Sequence, residues 1–470
     1  MVPFLEPSFR AILPTSSDFA HNRTMDARAL AEQVCRTLRA AGRQGYLVGG
    51  CVRDILLKRE PVDYDVATDA TPDEVQRIFP HSLAVGAQFG VIVVMGDPDT
   101  QPGMHVEVAT FRSDVGYSDG RHPDKVLFSA SPEQDVRRRD FTINALLLDP
   151  ETGEVLDFVE GRKDLEAGII RAIGPPEKRF GEDKLRMIRA VRFAARFGYA
   201  IEPATFAAIQ KLAPQIHQVS PERLRDELTK LLTEGAARRG FELLDESRLL
   251  PEILPEIARM KGVEQPPQFH PEGDVWIHTL MMLGGLPAGC TSTLAWGVLL
   301  HDVGKPPTFK PPAGPGGRIR FDEHVEVGTR MAEAICRRLR FSNEDTEQIA
   351  ALVANHLRFK DVGQMKPSTL KRFVRLSRFE EHLELHRLDC LSSHGSLEAY
   401  NFVQRFLADT PPEQVRPPRL LGGDDLKALG YSPGPPFKEI LEAVEDAQLN
   451  GKIRTKEEAM QLVQSSFRNK

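Results

Sequence analysis

Residues 46–66, YLVGGCVRDILLKREPVDYDV, constrain the fold more than any other stretch. Tyr46, Leu47 and Val48 form a short apolar run that reads as a strand. Gly49 and Gly50 follow it, and their backbone can turn tightly and approach a phosphate closely. Residues 52–57 take up helical spacing, and a second strand should then carry Asp63 and Asp65. Side chains two residues apart on a strand leave the same face. Two carboxylates placed that way repel unless a cation lies between them, and hard divalent ions such as Mg2+ prefer oxygen ligands. A pair of metals so held clamps the attacking and leaving oxygens of a phosphoryl or nucleotidyl transfer. A polar turn with a solvated aspartate pair would fit Asp63-Tyr64-Asp65 taken alone. The glycine pair and Arg53-Asp54 just upstream favour the metal reading.

The flanking sequence extends the same pattern. Residues 1–24 lack periodicity and read as a loose leader, and 26–38 as an amphipathic helix. Thr71-Pro72-Asp73-Glu74 has the form of a helix N-cap with proline at the first helical position. Residues 91–95 and 105–110, rich in β-branched side chains, predict two further strands. Glu107 alternates with Val106 and Val108 and so faces away from them, where a third carboxylate can reach the same metals; a lone polar residue on a half-buried strand is the alternative. Residues 112–135 are polar, with Gly116, Tyr117, Gly120, Arg121 and Lys125, and read as a mobile loop. It leads into Arg137-Arg138-Arg139-Asp140-Phe141-Thr142-Ile143-Asn144, whose arginines suit a triphosphate, with Asp140 or Asn144 available to a ribose hydroxyl. An arginine run is also a common solvated face.

Beyond residue 165 strand signals fade and helical periodicity dominates, so the fold class expected is α+β. Within 171–200 eight basic residues (Arg171, Lys178, Arg179, Lys184, Arg186, Arg189, Arg192, Arg196) stand against Glu177, Glu182 and Asp183, although the whole chain carries a net charge of −6. That balance excludes a uniformly basic nucleic-acid binder and leaves a local stripe suited to RNA backbone or triphosphate; an ordinary charged helix face is the alternative. Five cysteines without a CxxC pair fit a reducing cytosol and supply neither a disulfide frame nor a zinc knuckle. No apolar stretch reaches membrane-spanning length.

Together LVGGCVRD, DYD, VEVATFR, DVRRRDFTINA, GEDKLRMIRAVRFAARFGY and SPERLRDELTKLL resemble the class II tRNA nucleotidyltransferases, that is, the CCA-adding enzymes and their poly(A) polymerase relatives. The resemblance covers residues 47–254. It implies a polymerase-β-like head with a short mixed sheet (25–164), then a helical neck and body (165–262). It further implies that Asp63, Asp65 and Glu107 bind two catalytic Mg2+ ions and that Gly49, Gly50 and Arg53 contact the triphosphate. Arg138, Arg139 and Asp140 would meet sugar and phosphates, and Glu182, Asp183 and Arg186, with Arg189 beside them, would bind the incoming nucleotide. Hydrogen-bond chemistry agrees. Cytosine and adenine both present an amino donor beside a ring-nitrogen acceptor, matched by a carboxylate such as Asp183 and a guanidinium such as Arg186. Uracil and guanine present the reverse polarity and would leave charges unpaired. Asp183 and Arg186, three apart, are expected on one helix face. The implied substrates are the tRNA 3′ end, CTP and ATP. Val85-Gly86-Ala87-Gln88-Phe89-Gly90 lacks the basic pair usual in the polymerases, and 112–135 retains the loop that enzymes adding only two cytidines shorten. Full CCA addition and A-addition alone both fit.

A second chemistry begins near Val263. His278 opens one helix, His301-Asp302 ends another with Gly304 closing it, and His324, His356 and Asp389 follow. Imidazoles and carboxylates on separate helices are a common way to hold a divalent metal. The ordered set resembles the HD superfamily of metal-dependent phosphohydrolases. It implies a primary site of His278, His301, Asp302 and Asp389 for a divalent transition metal, with His324 and His356 completing a second. Such a site hydrolyses phosphomonoesters or cyclic phosphodiesters; a bundle that only supports tRNA is the alternative, and an RNA-binding head serving an HD hydrolase is a rival for the whole chain. His382, His386 and His394, near Asp389, read as incidental. The HD region is expected over 263–410 with a flexible lip at 306–317, and a helical tail over 411–470. The tail would touch tRNA through its glycine turns or simply pack.

Overall fold

The strands of the head are short: Tyr46–Val48 (β1), Asp65–Thr68 (β2), Ser82–Gly86 (β3), Val91–Met95 (β4), His105–Thr110 (β5), Arg112–Val115 (β6), Lys125–Phe128 (β7), Leu147–Leu148 (β8) and Val155–Leu156 (β9). The computed structural model describes residues 16–86, 89–99, 101, 103–115, 125–268, 270–314 and 317–467. Seven strands form a mixed sheet in the order β3-β4-β5-β2-β1-β8-β9, with β2 and β5 parallel and the other neighbours antiparallel. Alternation along β5 buries Val106, Val108 and Thr110 and exposes His105 and Glu107. Val48, Ala67, Phe111, Val136, Ala145, Leu147 and Ile173 close one apolar core.

The α+β reading holds: past Ile201, the one paired strand segment among the described residues is Phe309–Lys310 with Arg320–Phe321, and the rest is helical. Contacts divide the chain into two compact units. The first runs to Val219 and adds Ser247–Leu249; the second holds Ser220–Glu246 and everything from Leu250. In the second unit the helix Pro221–Thr233 packs on Ser292–Leu300, where Trp296 Nε1 donates to Thr229 Oγ1 at 2.9 Å. Residues 420–467 form three main helices on their own core of Leu426, Ile440, Val444 and Val463.

Several local expectations hold and others do not. The helix Pro72–Ile78 starts as expected, with Thr71 N and Oγ1 both donating to Glu74 Oε2. The first helix spans Ser16–Ala40, ten residues longer at its start than expected, while the leader up to residue 15 lies outside the described residues. Residues 112–135 are not simply a loop. β6 and β7 pair as an antiparallel hairpin and Pro132–Arg137 is helical, because β-branched and aromatic residues flank the glycines; residues 116–124 lie outside the described set. So do Ala87 and Gln88, on which part of the CCA-type reading rests. Likewise 306–317 begins in the helical turn Lys305–Thr308, and Phe309–Lys310 within it pairs with Arg320–Phe321 beyond it as a short hairpin. Among the described residues, no helix is long and apolar enough to cross a membrane.

Two candidate catalytic centres

The head centre is built at one end of the sheet. β1 ends at Val48, whose Cα partner on β2 is Asp65. Asp65 is in turn the parallel partner of Glu107 on β5, so their side chains leave the same face. Asp63 lies two residues before β2 begins, not on the strand as expected, yet close enough to act on Asp65. Burial, then the Asp63 and Glu107 charges, push the Asp65 carboxyl up to about 7. An all-oxygen donor set of this kind fits a hard divalent cation.

That shift has a sign. Because the folded pKa of Asp65 lies above its unfolded value, the contribution to stability is full at acid pH and is lost as pH rises through about 7. A cation entering the trio must displace the same proton. Calorimetric titration of metal-free protein with Mg2+ should show affinity falling by about tenfold per pH unit below pH 7. Affinity independent of pH between 5.5 and 8 would contradict this environment for Asp65.

Beside the trio the chain turns through Gly49 at φ 82, a conformation that favours glycine. A Cβ there would meet Arg139 NH1 at 3.4 Å, and one on Gly50 would meet Arg53 NH2 at 3.6 Å, so two guanidinium groups flank the turn. Arg53 departs from expectation. It is 4% exposed, donates to Asp54 Oδ1 (2.8 Å) and Asn144 Oδ1 (2.6 Å), and lies over the Phe197 ring. These contacts hold its guanidinium against Asn144 and the helix Gly50–Leu56. Asn144 is correspondingly buried at 8% exposure, with its Nδ2 3.4 Å from Asp140 Oδ1.

Arg138 and Arg139 are aimed by a residue that sequence reading passed over. Asp135, 1% exposed, accepts from Arg138 through Oδ1 (2.9 and 2.6 Å) and from Arg139 through Oδ2 (3.3 and 3.1 Å). Burial works against its ionisation, but the two guanidinium groups outweigh it and hold its pKa below the usual value. Its position three and four residues before the arginines was the available signal. Asp140 Oδ2 takes a forked pair from Arg189 (2.9 and 2.7 Å).

The residues expected to select the nucleotide differ from expectation in one respect. Asp183 and Arg186 do not share a helix: Pro176–Glu182 ends before Asp183, which is extended (φ −152, ψ 110), and Leu185–Phe197 begins after it. Asp183 Oδ1 instead accepts from Leu185 N at 3.0 Å, satisfying an orphan donor at the new helix start. Arg186 pairs with Glu182 (2.7 Å), which also holds Arg179 (2.8 Å). The basic stripe is largely engaged within the unit. Arg171 pairs with Asp164 and Glu202, and Arg192 and Arg196 lie over Phe193 and Phe197. The cause is that the helix Leu185–Phe197 is packed on both sides, with ten of its thirteen residues buried.

The second unit carries the other centre. Ligand atoms of His278, His301 and Asp389 lie within 4.8 Å of one another, and so do those of Asp302, His324 and His356. The expected partition puts Asp302 with His278, His301 and Asp389, whereas mutual distance groups it with His324 and His356. Asp302 stands between the groups, with Oδ2 3.0 Å from His301 Nε2 and Oδ1 3.8 Å from His356 Nε2 and 4.0 Å from His324 Nε2. Each ring is fixed by its Nδ1: His301 on Val298 O (2.8 Å), His324 on Phe321 O (2.8 Å), His356 on Val353 O (2.7 Å) and His278 on Glu272 Oε1 (2.7 Å). That leaves all four Nε2 atoms and Asp302 Oδ1 buried without a hydrogen-bond partner. Converging orphan lone pairs are costly unless a cation satisfies them, and imidazole with carboxylate suits a divalent transition metal. Burial pushes His356 down to about 4, keeping it neutral; burial also lowers His278, but Asp389 and Glu272 outweigh it and bring it to about 9. The pocket therefore favours positive charge at its His278 end.

Gly304 does not close the helix by a left-handed turn, since its φ is −81. It is needed for close approach: a Cβ would lie 2.1 Å from His324 O and 2.6 Å from Gly328 N. Lys305, 7% exposed, reaches Asp302 Oδ2 (2.7 Å) and Gln265 Oε1 (2.6 Å) and was also passed over. His386 stacks on Phe359 at 4.3 Å and His382 is buried, as packing residues would be.

Comparison with known proteins follows this division. Residues 45–171 match the family described as the poly A polymerase head domain, 198–261 the probable RNA and SrmB-binding site of polymerase A, and 277–377 the HD domain. The CCA-adding enzyme of Bacillus subtilis (strain 168) is 44% identical over 220 residues, 47% of this chain and 54% of that enzyme. The CCA-adding enzyme of Streptococcus pneumoniae (strain CGSP14) is 32% identical over 428 residues, 91% of this chain and 94% of that one. Among solved structures, the Bacillus stearothermophilus CCA-adding enzyme in complex with CTP matches with a TM-score of 0.71 at 27% identity, covering 94% of this chain and 98% of that one.

Proposed function

The chain belongs to the CCA-adding enzymes, and from that premise we propose that it builds or repairs the 3′-terminal CCA of tRNA from CTP and ATP, in the cytosol, without a nucleic-acid template. The observation that carries this reading is the side-by-side placement of Asp65 and Glu107, with Asp63 close by, next to the Gly49 turn. Asp63, Asp65 and Glu107 would hold the metal. When bound, paired Mg2+ ions lower the pKa of the attacking 3′ hydroxyl and neutralise the leaving pyrophosphate.

The chain's own residues do the rest. Gly49 and Gly50 let backbone approach the triphosphate, and Asp135 aims Arg138 and Arg139 toward it. Arg189 keeps Asp140 ionised and oriented for the sugar. Arg53 and Asn144 act from behind, as positioning residues. Asp183 accepts from the base amino group and Arg186, steadied by Glu182, donates to the ring nitrogen. A head family shared with poly(A) polymerases leaves product length to be read from the relatives, and those named above are CCA-adding enzymes.

Sequencing the 3′ ends of tRNA that starts at its discriminator base tests the proposal. CTP alone should add two cytidines, and CTP with ATP should complete CCA and stop. An adenosine-only product or a long tail would overturn it. In a four-nucleotide competition Arg186→Ala should admit UTP or GTP while CTP incorporation falls; unchanged selectivity would remove Arg186 from base reading.

The buried cluster in the second unit supports a second activity. His278, His301 and Asp389 would hold one divalent metal and Asp302, His324 and His356 another. Such a centre hydrolyses phosphomonoesters or cyclic phosphodiesters with metal-activated water.

A further inference from the structure

His301, His324 and His356 each anchor Nδ1 on the main-chain carbonyl three residues upstream. His301 and His356 sit at helix C-caps, where the last carbonyls have no intrahelical partner, and His324 opens a helix, so that Phe321 lies outside it. His278 cannot do the same. It lies inside the helix Val275–Gly284, and the carbonyl three residues upstream, Val275 O, already accepts from Thr279 Oγ1 at 2.8 Å. Its Nδ1 is held by a carboxylate instead. Gly273, at φ 129, lets the preceding turn fold Glu272 back against the helix start. There Glu272 Oε1 meets His278 Nδ1 at 2.7 Å and His270 Nδ1 at 2.8 Å. The Glu272 side chain is 5% exposed, and its Oε2 is buried without a hydrogen-bond partner.

The two halves of the cluster therefore differ in charge. Around His278 and His301 stand Asp389 and Glu272, and Asp302 Oδ2 lies 3.0 Å from His301 Nε2. His324 and His356 face Asp302 Oδ1 at the longer distances of 4.0 and 3.8 Å, and the Lys305 ammonium, 2.7 Å from Oδ2, offsets that carboxylate. A carboxylate behind a histidine also makes the opposite nitrogen a better donor than a carbonyl does, and losing such a partner costs about 10–100-fold in metal affinity. We propose that Glu272, steadied by His270, is a positioning residue that makes the His278/His301/Asp389 position the tight half of the second-unit centre, filled before the Asp302/His324/His356 position.

This rests on the reading of that cluster as a metal centre, and the test separates the two. Metal-free full-length protein is titrated with Co2+ against a chelating indicator, with the visible absorption of the bound ion recorded and melting temperature as the control for folding. Wild type should show two classes of site that persist in Asp65→Asn, which takes a ligand from the head trio. Glu272→Gln keeps the size and an accepting oxygen but not the charge; it should weaken the tight class about 10–100-fold and leave the weak class in place. His356→Asn should remove the weak class and spare the tight one. Glu272→Gln indistinguishable from wild type, or weakening both classes equally, would overturn the inference while the metal reading stands. Wild type that binds no Co2+ would overturn both.

Discussion

Asp65→Asn is expected to lower nucleotide incorporation into tRNA by about 10³-fold or more, because it removes a ligand from a metal cluster whose transition-state charge stabilisation amounts to several kcal/mol. Loss of activity alone would not separate chemistry from misfolding. The environment of Asp65 provides the separation. Burial and the Asp63 and Glu107 charges make its ionised form unfavourable in the metal-free protein, with the carboxyl raised to about 7. An asparagine carries no charge, so at pH 8 the metal-free variant should be at least as stable as wild type in a denaturant titration. Mg2+ should stabilise wild type and not the variant. A variant that keeps incorporation within tenfold of wild type would refute the metal role. One that is inactive and clearly less stable at pH 8 would show that Asp65 serves the fold.

The second large effect belongs to the other unit. His301→Asn combined with Asp302→Asn removes one donor from each half of the cluster while keeping side-chain size. Any hydrolysis of phosphomonoesters or cyclic phosphodiesters should fall by about 10³-fold or more. CCA addition should persist, because the two centres lie in separate compact units. The variant also removes the counter-charge of Lys305, 7% exposed and 2.7 Å from Asp302 Oδ2. In metal-free form it should melt below wild type, so activity is compared well below the melting temperature of both. Loss of CCA addition in a well-folded double variant would mean that the cluster serves the transferase reaction; hydrolysis that survives intact would place that activity elsewhere.

Much of both centres was legible because their chemistry is encoded in short local patterns. Alternation along residues 105–110 placed Glu107 on the open face of β5, and its register with Asp65 followed from burying Val66, Val108 and Ala67. Proline, threonine and glutamate at fixed offsets predicted the start of the helix Pro72–Ile78. What escaped depends on partners distant in sequence or on backbone breaks. Arg53 reads as a phosphate-facing cation beside a glycine turn. Only the fold brings Asn144, ninety-one residues away, to its guanidinium and covers both. The helix break at Asp183 lies in a run with good helical periodicity, and the residue that breaks it caps the next helix with its own side chain. Asp302 looks like a member of one ligand set because it follows His301. Placed just past a helix end, its carboxylate instead spans both groups. Glu272 carries no metal-binding signature, and its part follows from the single histidine whose Nδ1 cannot use a main-chain carbonyl.

The most direct measurement is the anomalous difference map of a crystal soaked with Mn2+ and a non-hydrolysable CTP analogue. The carboxylates of Asp63, Asp65 and Glu107 should surround the strongest head-domain peak, with the analogue's phosphates against the Gly49 turn and Arg139. Phosphates bound there with no peak among the three acids, or a peak ligated by other residues, would contradict the mechanism.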